Sequence, residues 1–417
     1  MNNETNKLIP EIRFPEYKSE GIWDKRKLGE ISNIVIGGTP STIIDEYWNG
    51  DIGWIGSGEL KNNIIKSPTK YITELGMKKS STYLLPKGTT VLAMTGATLG
   101  KVGFLDINSC GNQSVAGFIG LTNLNSKFLF YQLQKETTQI LSFAGGGAQA
   151  GINKSNIENL ILHIPLRIEE QQKIADCLSS LDEVIATQID KLETLKTYKK
   201  GLMQSLFPQE EEKMPKLRFS EFFTSLIKIC FAELGEIKIG LTHKPDYINT
   251  GIPFLSSKNI SGGYIDFKDI QYISKEKFES MPESTKPKVG DILFTRVGSN
   301  LGNPIILEKN IEFGIFVSLG FFRVNKKANN YYMKYWMESD LFWKQVNQKV
   351  GGGAKDNLNS TWLREFELYI PSIEEQQKIA DTLYSLDNLI KEQVDKIEQL
   401  KLHKKGLMQG LFPKVKN

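Results

Sequence analysis

The chain has 417 residues, of which 40% are hydrophobic and 24% charged, so it can bury ordinary cores and is not a disordered chain. Its net charge of +4 permits a polyanionic partner without pointing to one. Three scattered cysteines (Cys110, Cys177, Cys230) and three histidines (His163, His243, His403) exclude a disulfide framework and a four-ligand zinc site; with no long apolar run or signal-like N-terminus, a cytoplasmic protein with no membrane contact is expected.

In chain order, residues 1–165 mix short strands, predicted at Asp51–Ile55, Val91–Met94 and Val102–Leu105, with one helix over Ser126–Ser142. Residues 166–208 carry a long helix, and a short linker (209–214) follows. The segment 209–370 has strands predicted at Asp291–Thr295 and Phe316–Val324 and a helix over roughly Asn330–Val350. That helix is rich in aromatics (Tyr331, Tyr332, Tyr335, Trp336, Phe342, Trp343). An exposed aromatic row could stack bases, but such residues are more often core, and core is expected here. Residues 371–417 carry a second long helix and a short tail.

Self-similarity fixes the architecture. Residues 168–208 and 373–413, laid at an offset of 205, match at 29 of 41 positions. The duplication extends further: Pro10-Glu11-Ile12-Arg13-Phe14 parallels Pro215-Lys216-Leu217-Arg218-Phe219, and Leu28-Gly29-Glu30-Ile31 parallels Leu234-Gly235-Glu236-Ile237. GGGAQAGIN (145–153) likewise parallels GGGAKDNLN (351–359). One unit is used twice, a variable block followed by a nearly invariant helix.

In the helices, Ile174, Leu178, Leu181, Ile185 and Leu192 recur at three- and four-residue steps, as do Ile379, Leu383, Leu386, Ile390 and Ile397. Ser372 and Glu375 have capping-box spacing, and the paired glutamates suit the positive end of the helix dipole. About 37 helical residues span roughly 55 Å, longer than the face of most domains, so the stripe predicts coiled-coil pairing. The first helix leads away from the first block and the second returns from the far end. The pair is then antiparallel, with pseudo-two-fold symmetry.

The repeat also tests catalytic motifs. Asp51, Glu59 and Lys61 resemble the carboxylate pair plus lysine of metal-dependent nucleases, but the aligned residues are Gly251, Asn259 and Ser261. A solvated loop beside a strand is therefore expected. GGGAQA (145–150) follows a helix-like stretch rather than a strand, which removes the context a dinucleotide loop requires. No Walker lysine loop and no Pro-Pro pair occurs, so neither an ATP-driven motor nor methyl transfer is visible.

Two variable blocks, each followed by a helix beginning Glu-Glu-Gln-Gln-Lys-Ile-Ala and ending in Leu-Phe-Pro, resemble the specificity subunit of type I restriction–modification enzymes. WIGSGEL (54–60) with its echo FLSSKNI (254–260), and KGTTVLAMTGATLGKVG (87–103) with its echo VGDILFTRVGSNLGN (289–303), support the resemblance over almost the whole chain. It implies an α+β chain of two mixed α/β target-recognition domains joined by two long helices in an antiparallel coiled coil. It further implies that each domain reads half of a bipartite double-stranded DNA site while the helices set the spacing. Two methyltransferase (modification) subunits and restriction/translocase subunits would be partners. They would bring S-adenosylmethionine, ATP and Mg²⁺, and this chain would bind no cofactor and catalyse nothing alone.

Candidate DNA contacts are Thr95, Gly96 and Lys101 in the first block, and Arg296, Gly298 and Asn303 aligned near them in the second. Gln149 and Lys355 hold matching places in the GGGA loops. Arg, Gln and Asn suit bidentate contacts to base edges. A coiled-coil scaffold whose end domains bind proteins, and a nuclease using Asp51, Glu59 and Lys61, are the competing readings.

Overall fold

The computed structural model describes residues 8–144, 151–209, 212–261, 263–297, 301–349 and 357–414. Gln149, Gly298 and Lys355 lie outside the described residues. The chain forms two compact units, Met1–Ile189 with Lys396–Asn417, and Asp190–Asp395. Each holds one variable block, the start of the helix that follows it, and the end of the other helix. No helix among the described residues is long and apolar enough to cross a membrane.

In the first unit, five strands run in the order Asn33–Ile36, Val115–Ile119, Thr90–Ala93, Val102–Leu105 and Asn63–Ile65, the last pairing in parallel. Thr90–Ala93 is buried along its whole length, as its apolar run demands. A second sheet joins Lys70–Ile72, Trp48–Ile55 and Ser109–Gly111. A separate antiparallel pair, Asp24–Lys27 with Ile161–Ile164, closes the block against its own ends.

The second unit repeats this plan. Gly235–Ile239, Leu319–Val324, Ile292–Thr295 and Gly302–Ile306 form the main sheet, with Gln271–Ile273, Ile252–Leu255 and Gly314–Ile315 in the smaller one. Ile227–Cys230 pairs with Glu367–Ile370. Where the first unit adds a fifth strand, this unit folds a two-stranded hairpin, Ile260–Ser261 with Tyr264–Ile265.

Each helix predicted near the end of a block is two. Ser126–Lys135 and Thr137–Ser142 replace the first, while Asn330–Glu338 and Asp340–Lys349 replace the second, broken where Ser339 turns extended. Tyr332, Tyr335, Trp336 and Phe342 are core, as expected, with Phe231 stacked between Phe322 and Trp336.

The structure also shifts one sequence parallel by three residues. Leu28 N donates to Leu160 O and Phe231 N to Phe366 O, while Glu30 and Glu233 cap the backbone of Lys27 and Cys230. Leu28-Gly29-Glu30-Ile31 therefore matches Phe231-Ala232-Glu233-Leu234. The Leu-Gly-Glu-Ile identity masks this, because the bonds a backbone makes, rather than residue identity, decide which positions are equivalent.

Both long helices, Ile168–Leu206 and Ile373–Leu411, run 39 residues. Their starts dock on their own blocks bond for bond. Arg13 holds Glu170 through two contacts of 2.8 Å, and Arg218 holds Glu375 through two of 2.7 Å, with each carboxylate 1% exposed. Ser372 Oγ accepts from Glu375 N, but Arg218 takes the Glu375 side chain that a capping box would return to the backbone. Gln171 accepts from Asn125 N and Gln376 from Asn329 N; each glutamine's amide also donates to the carbonyl of the proline before its helix (Pro165, Pro371).

The apolar stripe divides its work. Ile174 and Leu178 belong to the first block's core, and Ile379 and Leu383 to the second's. The helix starts lie on their own domains, where the glutamate and glutamine contacts fix them. Ile185, Leu386 and Ile397 are buried, and Leu181, Leu192 and Ile390 half-buried.

The helix ends are seated equally firmly. Leu411 and Phe412 enter the first unit's core beside Trp23 and Phe128, and Leu206 and Phe207 enter the second's beside Tyr332. Lys404 meets Asp182 at 2.5 Å and lies over Tyr131, whose hydroxyl donates to the same carboxylate. Lys199, Asp387 and Tyr335 repeat this set in the second unit, where Lys334 and Glu338 join it.

Candidate nucleic-acid interface

In each unit one loop cluster collects the three motifs that the sequence singles out. In the first, strand Thr90–Ala93 ends at Met94, whose N–H donates to Ser114 O and whose carbonyl accepts from Ile152 N. Thr95 bridges Gly151, the residue after the GGGA loop, and its hydroxyl meets Ser114 Oγ at 2.6 Å. Gly96, at φ +79°, opens a single 3-10 turn to Thr98, and Gly100, at φ +77°, returns the chain to the sheet. Both need the left-handed region that glycine enters without penalty. Thr98 Oγ1 donates to Ser57 O, tying WIGSGEL to this turn, and Asn62 Oδ1 accepts from Val102 N. Thr95, Gly96 and Lys101 are exposed on it.

The second unit builds the same cluster. Arg296 N donates to Ser318 O, Arg296 O accepts from Leu358 N, and Val297 bridges Asn357 after the GGGA loop. Ser257 of FLSSKNI donates its N–H to Ser318 Oγ. Gly302, at φ +81°, occupies the place of Gly100; a Cβ there would lie 2.5 Å from the Trp343 ring. Asn303 follows at φ +44°, in the place of Lys101.

These bonds align Arg296 with Met94 rather than with Thr95. Met94 is 6% exposed and Arg296 7%. The Arg296 guanidinium is turned inward, Nε donating to Leu358 O at 3.1 Å and Nη1 to Val317 O at 2.9 Å. Burial pushes its pKa down from the usual arginine value, yet a guanidinium keeps its charge in proteins. Of the candidate contacts, the structure thus brings Thr95, Gly96 and Lys101 together on one exposed turn and turns Arg296 inward in the second unit.

Of Asp51, Glu59 and Lys61, the glutamate serves the local backbone. Both Glu59 oxygens are used within its own loop, accepting from Gly56 N, Thr69 N and Thr69 Oγ1. Asn259 does the same work in the second unit, accepting from Ser256 N and donating to Asp266 O. No group of three or more His, Cys, Asp or Glu that could hold a metal ion occurs among the described residues.

Several residues of the frame escaped sequence reasoning. Arg13 and Arg218 lie 157 positions from their glutamates; their shared offset of 205 with the Glu-Glu pairs was the available signal. Tyr131, Tyr335, Lys199 and Lys404 gave none beyond standing at matched positions.

The fold and the two loop faces define a tandem-repeat protein, one mixed domain used twice with its framework kept and its loop face changed. A family model described as type I restriction modification DNA specificity domain matches residues 21–197 and again 228–401. The chain belongs to this family of type I restriction–modification specificity subunits. It is 24% identical to the type I restriction enzyme MjaVIII specificity subunit of Methanocaldococcus jannaschii, over 99% of this chain and 97% of that one. It is 30% identical to the EcoR124I/EcoR124II specificity subunit of Escherichia coli over 39% of this chain and 42% of the other. The crystal structure of a type I restriction–modification S subunit from M. genitalium shares its fold, with TM-score 0.63 and 18% identity, covering 98% of this chain and all (100%) of that one.

Proposed function

We propose that each loop face reads one half of a bipartite double-stranded DNA site, and that the long helices, paired as an antiparallel coiled coil with pseudo-two-fold symmetry, set the distance between halves. Two methyltransferase subunits dock on the helices, and restriction/translocase subunits join them. S-adenosylmethionine, ATP and Mg²⁺ belong to those partners, and this chain directs adenine methylation and restriction without catalysing either.

One observation carries the reading. The bonds that hold helix to domain are the same in both units, while the loop faces built on matched backbones differ, as in Lys101 against Asn303. Base-reading surfaces for different half-sites need such divergence, because each base pair offers its own donor and acceptor pattern in the major groove. A protein-binding scaffold has no reason to keep the backbone of both faces so closely. A nuclease reading fails on Glu59, whose oxygens close a loop.

Genome-wide mapping of modified adenines in a host carrying this chain with its partner subunits tests the proposal. A split, asymmetric sequence with a fixed gap is expected, and no methylation or cleavage by the purified chain supplied with Mg²⁺, ATP and S-adenosylmethionine. Methylation without sequence preference would overturn it.

A further inference from the structure

Beside the turn that carries Thr95 lies a second turn that the motifs do not mark. Asn112 N donates to Ile55 O, and Val115 N to Asn112 O. In the second unit Phe316 N donates to Leu255 O, and Leu319 N to Phe316 O. The two turns are thus equivalent, and Ser114 and Ser318 join them to the loop face through the bonds described above. Between their matched ends stand Gln113 and Val317.

Gln113 is exposed and Val317 half-buried. The Thr39 hydroxyl holds one end of the Gln113 amide. Thr39 is itself fixed, because Gly37 N donates to Val115 O and Gly38 N to Gly111 O. A Cβ on Gly37 would lie 2.1 Å from Gly111 O, so only glycine permits this approach. An amide held at one end has lost rotamer freedom before any ligand arrives, and the remaining end is available. In the second unit Thr242 follows the corresponding Gly240, but the turn offers it valine. There Arg296 grips the turn through the Val317 carbonyl instead.

We infer that Gln113 and Val317 are specificity-determining residues, Gln113 contacting a base edge by hydrogen bonds and Val317 making an apolar base contact such as that with a thymine methyl. The inference rests on the loop faces being DNA-reading surfaces. It adds a residue pair of different chemistry at matched places of two equivalent turns.

The test is methylome mapping of three variants of the full chain, Q113V, V317Q and T39V, each with its partner subunits. Q113V is expected to reduce discrimination by about tenfold or more at one position of the first half-site, leaving the second half and the gap unchanged. V317Q should alter one position of the second half only. T39V should weaken preference at the position that Q113V affects, and by less. If wild type maps to a bipartite site and Q113V and V317Q map to the same one at the same preference, the inference is wrong while the DNA-reading proposal stands. If wild type shows no bipartite site, both fall.

Discussion

Arg296 and Met94 fill one place with different chemistry, and the difference is measurable. Met94 simply packs, as part of the first unit's core. Arg296 packs and also donates to Leu358 and Val317, joining the segment after the GGGA loop to the turn opposite. Removing the guanidinium leaves acceptors without their donors, which costs about 1–3 kcal/mol for a buried group. Arg296→Ala is therefore expected to lower stability by about that amount in urea unfolding. It should also relax the half-site read by the second unit while leaving the other unchanged. Arg296→Met, which restores volume but no donors, should recover part of the stability and none of the specificity. Unchanged specificity in both variants would make Arg296 a residue of packing alone. Glu59 and Asn259 carry the same lesson, since a residue that looked catalytic in one copy is a loop clamp in both.

At the scale of elements, the helix ends are held by charge as well as by packing. Burial alone would raise the pKa of Asp387. The charges of Lys334 and Lys199, with hydrogen bonds from Lys199 and Tyr335, outweigh it and hold the carboxyl below the usual aspartate value. A depressed carboxylate stabilises the fold above its unfolded pKa, near 4, and that contribution disappears as pH falls through the lower folded value. Asp387→Asn is thus expected to lower Tm at pH 7, with the gap from wild type narrowing as pH is taken toward 3. A gap that stayed constant over this range would assign the loss to packing rather than to charge. The arginine–glutamate pairs at the helix starts are more deeply buried, and removing one partner from such a pair typically costs about 3–5 kcal/mol.

For the whole molecule, the proposed ruler makes a numerical prediction. Inserting four residues near Leu192–Lys196 lengthens the first helix by about 6 Å and turns it about 40° past a full turn, so the apolar stripe keeps its phase. At roughly 3.4 Å per base pair, the gap between half-sites should grow by one or two. The bases read in each half should not change, because neither loop face is altered. Changed bases at a constant gap in the methylome of the insertion variant would show that the helices are not the spacer.

The sequence by itself determined the duplication, the two long helices and the family, because those features are written as identities at offsets of 205 and 206 and as three- and four-residue periodicity. It also placed the central strands, such as Val102–Leu105, where a short apolar stretch follows Gly100 and stops at Asp106. Only the tertiary structure decided what lies beside what. It drew Ser57, Thr95, Ser114 and Gly151 onto one face, because strand pairing closes contacts between segments far apart in the chain. It turned Arg296 inward, since backbone carbonyls waited there, and it showed Leu28 matched to Phe231 where residue identity had suggested Leu234. It gave the first turns of the apolar stripe to each domain's own core. Periodicity records that a helix face is buried, and is silent about the surface that buries it.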